Sequence, residues 1–215
     1  MTATVNKDAR FWDRIARKYS TDPIKDEEGY QKTLTRVSDF LRSDDSVLEL
    51  GCGTGTTALH LATMASSYLA TDISPQMIAI AQEKAVRSPN AQLKFSTGTV
   101  ETLELQPDQY DAVLGFNYLH LVEDIDRNLE LIRLCLKSGG YFISKTPCVG
   151  DMTPLIRLVI PLMRAVGKAP QHVHSIKASS LEEKIRNAGF DIIACEFHAT
   201  QGKDVRPFIV ASKPN

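Results

Sequence analysis

Nothing in this chain of 215 residues divides it, anchors it or charges it strongly. There is no Gly/Ser-rich or Pro-rich linker, no internal repeat and no low-complexity tract, so a single domain over 1–215 is expected. Lys and Arg together number 25 against 26 Asp and Glu, a net charge of −1, which removes the electrostatic case for nucleic acid. No uncharged apolar run reaches transmembrane length. Residues 1–20 carry charges throughout and no apolar centre, which is not the pattern of a signal peptide. The four cysteines, Cys52, Cys135, Cys148 and Cys195, stand far apart without a C-x-x-C pair. Neither zinc nor dithiol redox chemistry is therefore expected, and a reduced, cytoplasmic setting fits best. His172 and His174 are two apart, but no acidic or cysteine partner stands near them in the sequence. They read as loop histidines or as lining of a substrate pocket, and no metal site is expected. An apolar content of 43% is ordinary for a globular protein and sufficient for one large core.

A further absence is more informative. Val47-Leu48-Glu49-Leu50-Gly51-Cys52-Gly53-Thr54-Gly55 reads as a buried strand breaking into three alternating glycines, with a helix expected over 56–63. Glycine suits a tight strand-to-helix turn and lets a ligand approach bare main chain, where helix-start amides offer unpaired donors. A dinucleotide fingerprint G-x-G-x-x-G would place its last glycine at position 56, and Thr56 stands there instead. The pattern is E-x-G-x-G-x-G, with Glu49 near the strand end. A carboxylate repels a pyrophosphate and attracts an ammonium or sulfonium group. The expected ligand is a nucleoside with a cationic amino-acid tail, which S-adenosylmethionine fits.

A second acid agrees. Tyr68-Leu69-Ala70-Thr71-Asp72 reads as the next strand, and Asp72 follows Gly51 at about the spacing of a carboxylate that holds ribose hydroxyls. Each hydroxyl can donate to one carboxylate oxygen. Ser74 and Pro75 then read as the cap and first position of a helix.

These residues resemble the class I S-adenosylmethionine-dependent methyltransferases, and within them the small-molecule branch that includes the ubiquinone and menaquinone biosynthesis methyltransferases. The resemblance covers nearly the whole chain and rests on 47–55, 71–77, 110–121 and Leu136-Lys137-Ser138-Gly139-Gly140. It implies that Gly51, Cys52 and Gly53 face the methionine part of the cofactor and that Asp72 holds its ribose. It also implies that Ile73 and Met77 pack on the adenine. The segment Phe95-Ser96-Thr97-Gly98-Thr99-Val100-Glu101 matches the family's adenine-edge stretch, with Thr99 where the family usually has Asp. Threonine accepts a hydrogen bond without charge assistance, which shifts weight to the backbone of Val100. Tyr19, after the first helix, is expected at the cofactor's amino-acid end or the substrate. S-adenosylhomocysteine would be the product.

The rest of the chain alternates. Helices are expected over 8–19 and 26–41, forming an N-terminal helical cap over 1–42. Strands follow at 46–50, 68–71, 92–96, 110–116 and 141–145, with helices at 75–87 and 124–137 between them. Such alternation predicts an α/β, Rossmann-like, doubly wound sheet with parallel pairing and right-handed crossovers. The last two strands, 191–198 and 205–211, leave only Thr200-Gln201-Gly202-Lys203 between them, so they must form an antiparallel hairpin. Seven strands with one reversed is the methyltransferase family's arrangement.

Ligands in such sheets sit at the carboxyl ends of strands, so Gly115-Phe116-Asn117-Tyr118-Leu119-His120 should border the reacting group. Phe116 and Asn117 are expected to line the cofactor tail. His120 is the natural proton acceptor by side-chain pKa, against a structural histidine in its Leu119–Leu121 context. Residues 151–178 form the expected substrate-specific insertion. Within it, 152–166 is apolar almost all round, broken by Arg157 and Arg164 on one face and by the helix-kinking Pro161. Such a helix is core, a lid over an apolar ligand, a contact with a second copy in a homodimer rather than a monomer, or a peripheral membrane contact.

The expected activity is methyl transfer to a small, apolar-bodied or aromatic acceptor. A nicotinamide-dependent oxidoreductase and a non-catalytic S-adenosylmethionine-binding partner protein are the alternatives. Thr56 and the terminal hairpin argue against the first. Cofactor residues alone do not argue against the second.

Overall fold

The computed structural model describes residues 7–202 and 204–215, and the side chains of all of these except Pro154, Arg157 and Leu158. The chain opens with two helices, α1 (Lys7–Thr21) and α2 (Glu27–Ser38). The sheet elements follow: β1 (Ser46–Leu50), α3 (Thr56–Leu61), β2 (Ser67–Asp72), α4 (Pro75–Arg87), β3 (Leu93–Thr97), β4 (Tyr110–Phe116), α5 (Ile125–Cys135) and β5 (Leu136–Lys145). Then come α6 (Pro154–Ala165), α7 (Ala178–Asn187), β6 (Asp191–Glu196) and β7 (Phe208–Ser212).

Among the described residues the strands form one seven-stranded sheet in the order β3-β2-β1-β4-β5-β7-β6. Every pair from β3 to β5 is parallel, and β7 runs antiparallel to both β5 and β6. This is the doubly wound sheet with a reversed C-terminal strand that the alternation predicts.

Strand periodicity sets the two cores. On β1, Leu48 and Leu50 point to one face, where Leu129 and Ile132 of α5 and Leu181 and Ile185 of α7 pack. Val47 points to the other, with Leu34 and Val37 of α2, Ala58 and Leu61 of α3 and Ile78 of α4. Each fully buried leucine or isoleucine contributes roughly 1.5–3 kcal/mol. The helix starts are capped as their residue types suggest: Asp26 accepts from the Gly29 amide at 3.0 Å, Ser74 from Met77 at 3.1 Å and Asp124 from Arg127 at 3.0 Å.

Two boundaries depart from expectation. The helix expected to reach 137 ends at Cys135, because Leu136 already pairs with Tyr110 and starts β5, with an irregularity between Tyr110 and Ala112. The terminal link is also longer, running from Phe197 to Pro207. Asp204 shapes it, its carboxylate accepting from the amides of His198 (3.0 Å), Ala199 (2.8 Å) and Arg206 (2.9 Å).

Candidate active site

The carboxyl ends of β1, β2, β3 and β4 open into one cavity of about 870 Å³. The glycine turn forms one side. Gly51, Gly53 and Gly55 all have positive φ, at 69°, 55° and 77°. The steric reason differs along the turn. A Cβ on Gly51 would lie 2.9 Å from the Tyr118 ring, and one on Gly55 would lie 2.8 Å from both Ala81 and Phe95. On Gly53 the nearest atom would be in the Tyr19 ring, at 3.8 Å.

Asp72 fixes this turn. One carboxylate oxygen accepts from the Gly53 amide and the other from the Ser74 amide, both at 2.9 Å. The same carboxylate lies in the cavity wall. Its pKa is raised by burial against the pull of those two amides, with Asp13 pushing it further up. Each oxygen keeps a lone pair for a ligand hydroxyl.

Tyr19 from α1, Ile73 and Met77 at the start of α4, Thr99 and Glu101 after β3, and Phe116, Asn117 and His120 after β4 join Gly51, Gly53 and Asp72 in the wall. The sequence-predicted residues Cys52, Val100 and Glu49 are not part of it. The Cys52 thiol is buried and its pKa raised well above the ordinary value by that burial. Val100 belongs to the core beneath α5.

The Glu49 carboxyl is fully buried and accepts a 2.8 Å hydrogen bond from the Tyr68 hydroxyl. Burial, partly offset by that bond, pushes its pKa up to about 7. The reason is the strand pleat. Leu48 and Leu50 take the face beneath α5, which turns Glu49 to the face of Val47 and Tyr68.

Tyr118 belongs to the 115–120 stretch expected to border the reacting group, where the sequence reading assigns it no role of its own. It packs over Gly51 and Gly115, lines the cavity, and donates its hydroxyl to the Asn128 side chain, whose amide in turn donates to Glu101. Its pKa is raised well above the ordinary value by burial and by the Glu101 and Asp72 charges. Asn117 has φ of 52°, a left-handed conformation that asparagine tolerates better than most residues.

The wall also carries apolar Leu121, Val122, Val149, Pro170 and Val173 together with polar Lys7, Asp8, Glu123 and Gln171, and it holds two histidines. Burial and the neighbouring His174 push the His120 pKa down to about 4, and its buried Nδ1 has no hydrogen-bond partner among the described residues. His174 is structural: its Nε2 donates to the Val122 carbonyl at 2.8 Å, and its amide donates to the His120 carbonyl at 2.8 Å. His172 corrects the expectation that no acidic partner is near. Its Nδ1 donates at 2.6 Å to Asp8, which stands 164 residues away in the sequence, on α1. That bond orients the ring and holds a proton on Nδ1, with Nε2 on the opposite edge of the ring.

None of the described side chains of α6 is buried. Leu155, Val159 and Leu162, with Val166 just past the helix end, follow one helical stripe and are all exposed. The Arg157 side chain lies outside the described residues. Among the described residues no group of three or more His, Cys, Asp or Glu could hold a metal ion, and no helix is long and apolar enough to cross a membrane.

Comparison with known proteins agrees with this arrangement. Residues 24–194 match the family described as "Methyltransferase domain". A reducing polyketide synthase from Preussia isomera is 34% identical over 45% of this chain, and a ubiquinone biosynthesis O-methyltransferase from Chelativorans sp. is 23% identical over 78% of it. The chain spans 4% of that synthase, 71% of that O-methyltransferase and about half the length of several other curated relatives. Among solved structures, an S-adenosylmethionine-dependent methyltransferase from Thermotoga maritima aligns at a TM-score of 0.70 and 20% identity, over 95% of this chain and 98% of its own. The sheet order, the glycine turn and the family match together make the chain a member of the methyltransferase domain family.

Proposed function

We propose that this protein transfers a methyl group from S-adenosylmethionine to a small acceptor with an apolar or aromatic body. One observation carries the reading: bare glycine backbone and the Asp72 carboxylate share a single cavity with a set of apolar side chains and a carboxylate-paired histidine. A volume of about 870 Å³ lies near the upper end of ordinary ligand sites and accommodates both a nucleoside cofactor and a small acceptor.

The residues present suit the cofactor. Gly51 and Gly53 offer main chain to its amino-acid tail, Asp72 accepts from its ribose hydroxyls, and Ile73 and Met77 give apolar contact to the base. Thr99 and Glu101 border the base edge, and Phe116, Asn117 and Tyr19 close over the tail. Glu49 and Cys52 support the turn from behind. When bound, S-adenosylmethionine supplies an electrophilic methyl group on its sulfonium. The chain's own contribution is positioning and exclusion of water, an effect of several kcal/mol by proximity estimates. The cap over 1–42 supplies Asp8, Trp12 and Tyr19 to the cavity wall, and the insertion over 151–178 supplies Pro170, His172 and Val173. Where the acceptor is a hydroxyl, His172 takes its proton on Nε2 while Asp8 holds the imidazolium that forms. His120, depressed to about 4, stays neutral at physiological pH and borders the acceptor.

Calorimetry with S-adenosylhomocysteine and with NAD tests the cofactor half, with micromolar binding expected for the first and none for the second. Methyl-labelled S-adenosylmethionine incubated with metabolite extracts tests the transfer half, read by mass spectrometry. NAD binding without S-adenosylhomocysteine binding overturns the reading in favour of an oxidoreductase. Binding with no labelled product favours a non-catalytic partner.

A further inference from the structure

Beside the large cavity lies a second one of about 200 Å³ whose wall is strongly cationic. Lys7, Arg10 and Arg14 come from one face of α1, at i, i+3 and i+7, and Arg164 comes from α6. Among the described residues none of the four is ion-paired, whereas Arg17 on the same helix α1 is bound by Glu83 at 2.7 Å. Among the described residues no carboxylate lines this cavity, and the Asp8 carboxylate next to Lys7 in the chain accepts from the Gln171 amide and His172. Arg14 donates one N–H to the Gly167 carbonyl and keeps the rest of its fork, 5.5 Å over the Phe11 ring. The Arg164 Nε is buried with no hydrogen-bond partner among the described residues. A buried guanidinium nitrogen without an acceptor is costly, and four like charges around one small space repel one another. In a chain of net charge −1, such a cluster is an exception that an anion would relieve.

The two cavities share Lys7 and Gln171 in their walls, so the small one adjoins the large one. Its volume suits a phosphate group, and is below the roughly 300 Å³ at which pockets take a whole drug-sized ligand. Three guanidinium forks match the geometry of phosphate oxygens better than they match a single point charge. We propose that this pocket seats an anionic group of the phosphate class carried by the methyl acceptor, whose reacting end lies in the larger cavity. The substrate class becomes an apolar or aromatic body tethered to a phosphate. The proposal rests on the methyltransferase reading above.

Octyl phosphate, octanol and inorganic phosphate are the probes, each titrated calorimetrically into the full chain saturated with S-adenosylhomocysteine. Octyl phosphate should bind at least about tenfold tighter than octanol and than inorganic phosphate, because it alone spans both cavities. Arg10→Gln and Arg164→Gln should each weaken octyl phosphate about tenfold or more, the size of one charge-assisted hydrogen bond. Their octanol and S-adenosylhomocysteine affinities should stay unchanged. Arg10 is exposed, so its variant keeps the test readable if Arg164→Gln lowers the melting temperature. Equal binding of octyl phosphate and octanol, or unchanged affinity in both variants, overturns the proposal. So does inorganic phosphate binding as tightly as octyl phosphate, which makes the pocket a free-anion site unconnected to the acceptor. Failure of S-adenosylhomocysteine to bind strikes the methyltransferase reading instead, and the probes are then compared on the unliganded chain.

Discussion

Adding one methyl group at Gly53 and, separately, at Gly55 should part the ligand-binding role of the turn from its structural role. Both residues have positive φ, 55° and 77°, where an alanine costs about 1–2 kcal/mol. At Gly53 that is nearly the whole folding cost, since the new Cβ would meet only the Tyr19 ring at 3.8 Å, an ordinary contact. At Gly55 the Cβ would lie 2.8 Å from the Ala81 Cβ and the Phe95 ring, inside a packed region, adding an overpacking term of about 1–3 kcal/mol. Gly53→Ala should therefore lose about 1–2 kcal/mol and Gly55→Ala about 2–5 kcal/mol. For a chain of this size each kcal/mol lowers the melting temperature by roughly 2–4 °C. The order reverses for ligand binding. The Gly53 methyl enters the cavity wall and should cost S-adenosylhomocysteine more than about tenfold in affinity, about 1.4 kcal/mol or more. The Gly55 methyl points at Ala81 and Phe95, so the folded variant should bind within a few-fold of the parent. Thermal melting and calorimetry on the two variants suffice. A Gly53→Ala protein that binds like the parent, or that melts lower than Gly55→Ala, refutes the reasoning.

Three further outcomes follow from the same geometry. Leu155→Asp, on the exposed stripe of α6, should leave stability within about 0.5 kcal/mol of the parent, and a large drop in melting temperature would place that helix in the core after all. Asp72→Ala should weaken S-adenosylhomocysteine by roughly 2 kcal/mol in a protein that still folds, and unchanged affinity by calorimetry would remove Asp72 from the site. Glu49 has a folded pKa raised from 4.5 to about 7, so its contribution to stability is fully present below about pH 4.5 and is lost as pH rises through 7. That loss amounts to roughly 3 kcal/mol. Glu49→Gln keeps an acceptor for Tyr68 and does not ionise, so its stability relative to the parent should increase between pH 5 and pH 8 in urea titrations, and a pH-independent difference would refute the assignment.

What the sequence disclosed and what it hid divide along a physical line. The glycine turn, Asp72 and the reversed last strand were legible because each is local: a few adjacent residues force the backbone, and too few residues separate β6 from β7 for a helical crossover. The face of Glu49 was also available, since Leu48 and Leu50 needed the α5 side, but charge complementarity with a ligand pointed the other way. Asp8 and His172 meet across 164 residues, and no spacing rule connects them. The same holds for Arg164 beside Lys7, Arg10 and Arg14, which requires α6 to return against α1. The end of α5 at Cys135 was hidden because Leu136 continues the apolar periodicity of the helix while its backbone already belongs to β5.

The place of β7 has a consequence for how the molecule comes into being on the ribosome. The strand follows β6 in the chain, yet it lies between β5 and β6 in the sheet, so β6 has no neighbour until residues 208–212 have been made. During synthesis the parallel half, β3-β2-β1-β4-β5, can assemble with helices on both faces while its β5 edge stays open. That edge carries Phe142 and Ile143, which are fully buried in the finished sheet, where Ala211 and Val210 stand opposite them. Until then it is an apolar edge able to pair with another nascent chain. Removing 208–215 should yield a collapsed, aggregation-prone intermediate rather than a slightly smaller protein, and delaying translation just before residue 208 should increase the yield of insoluble chains.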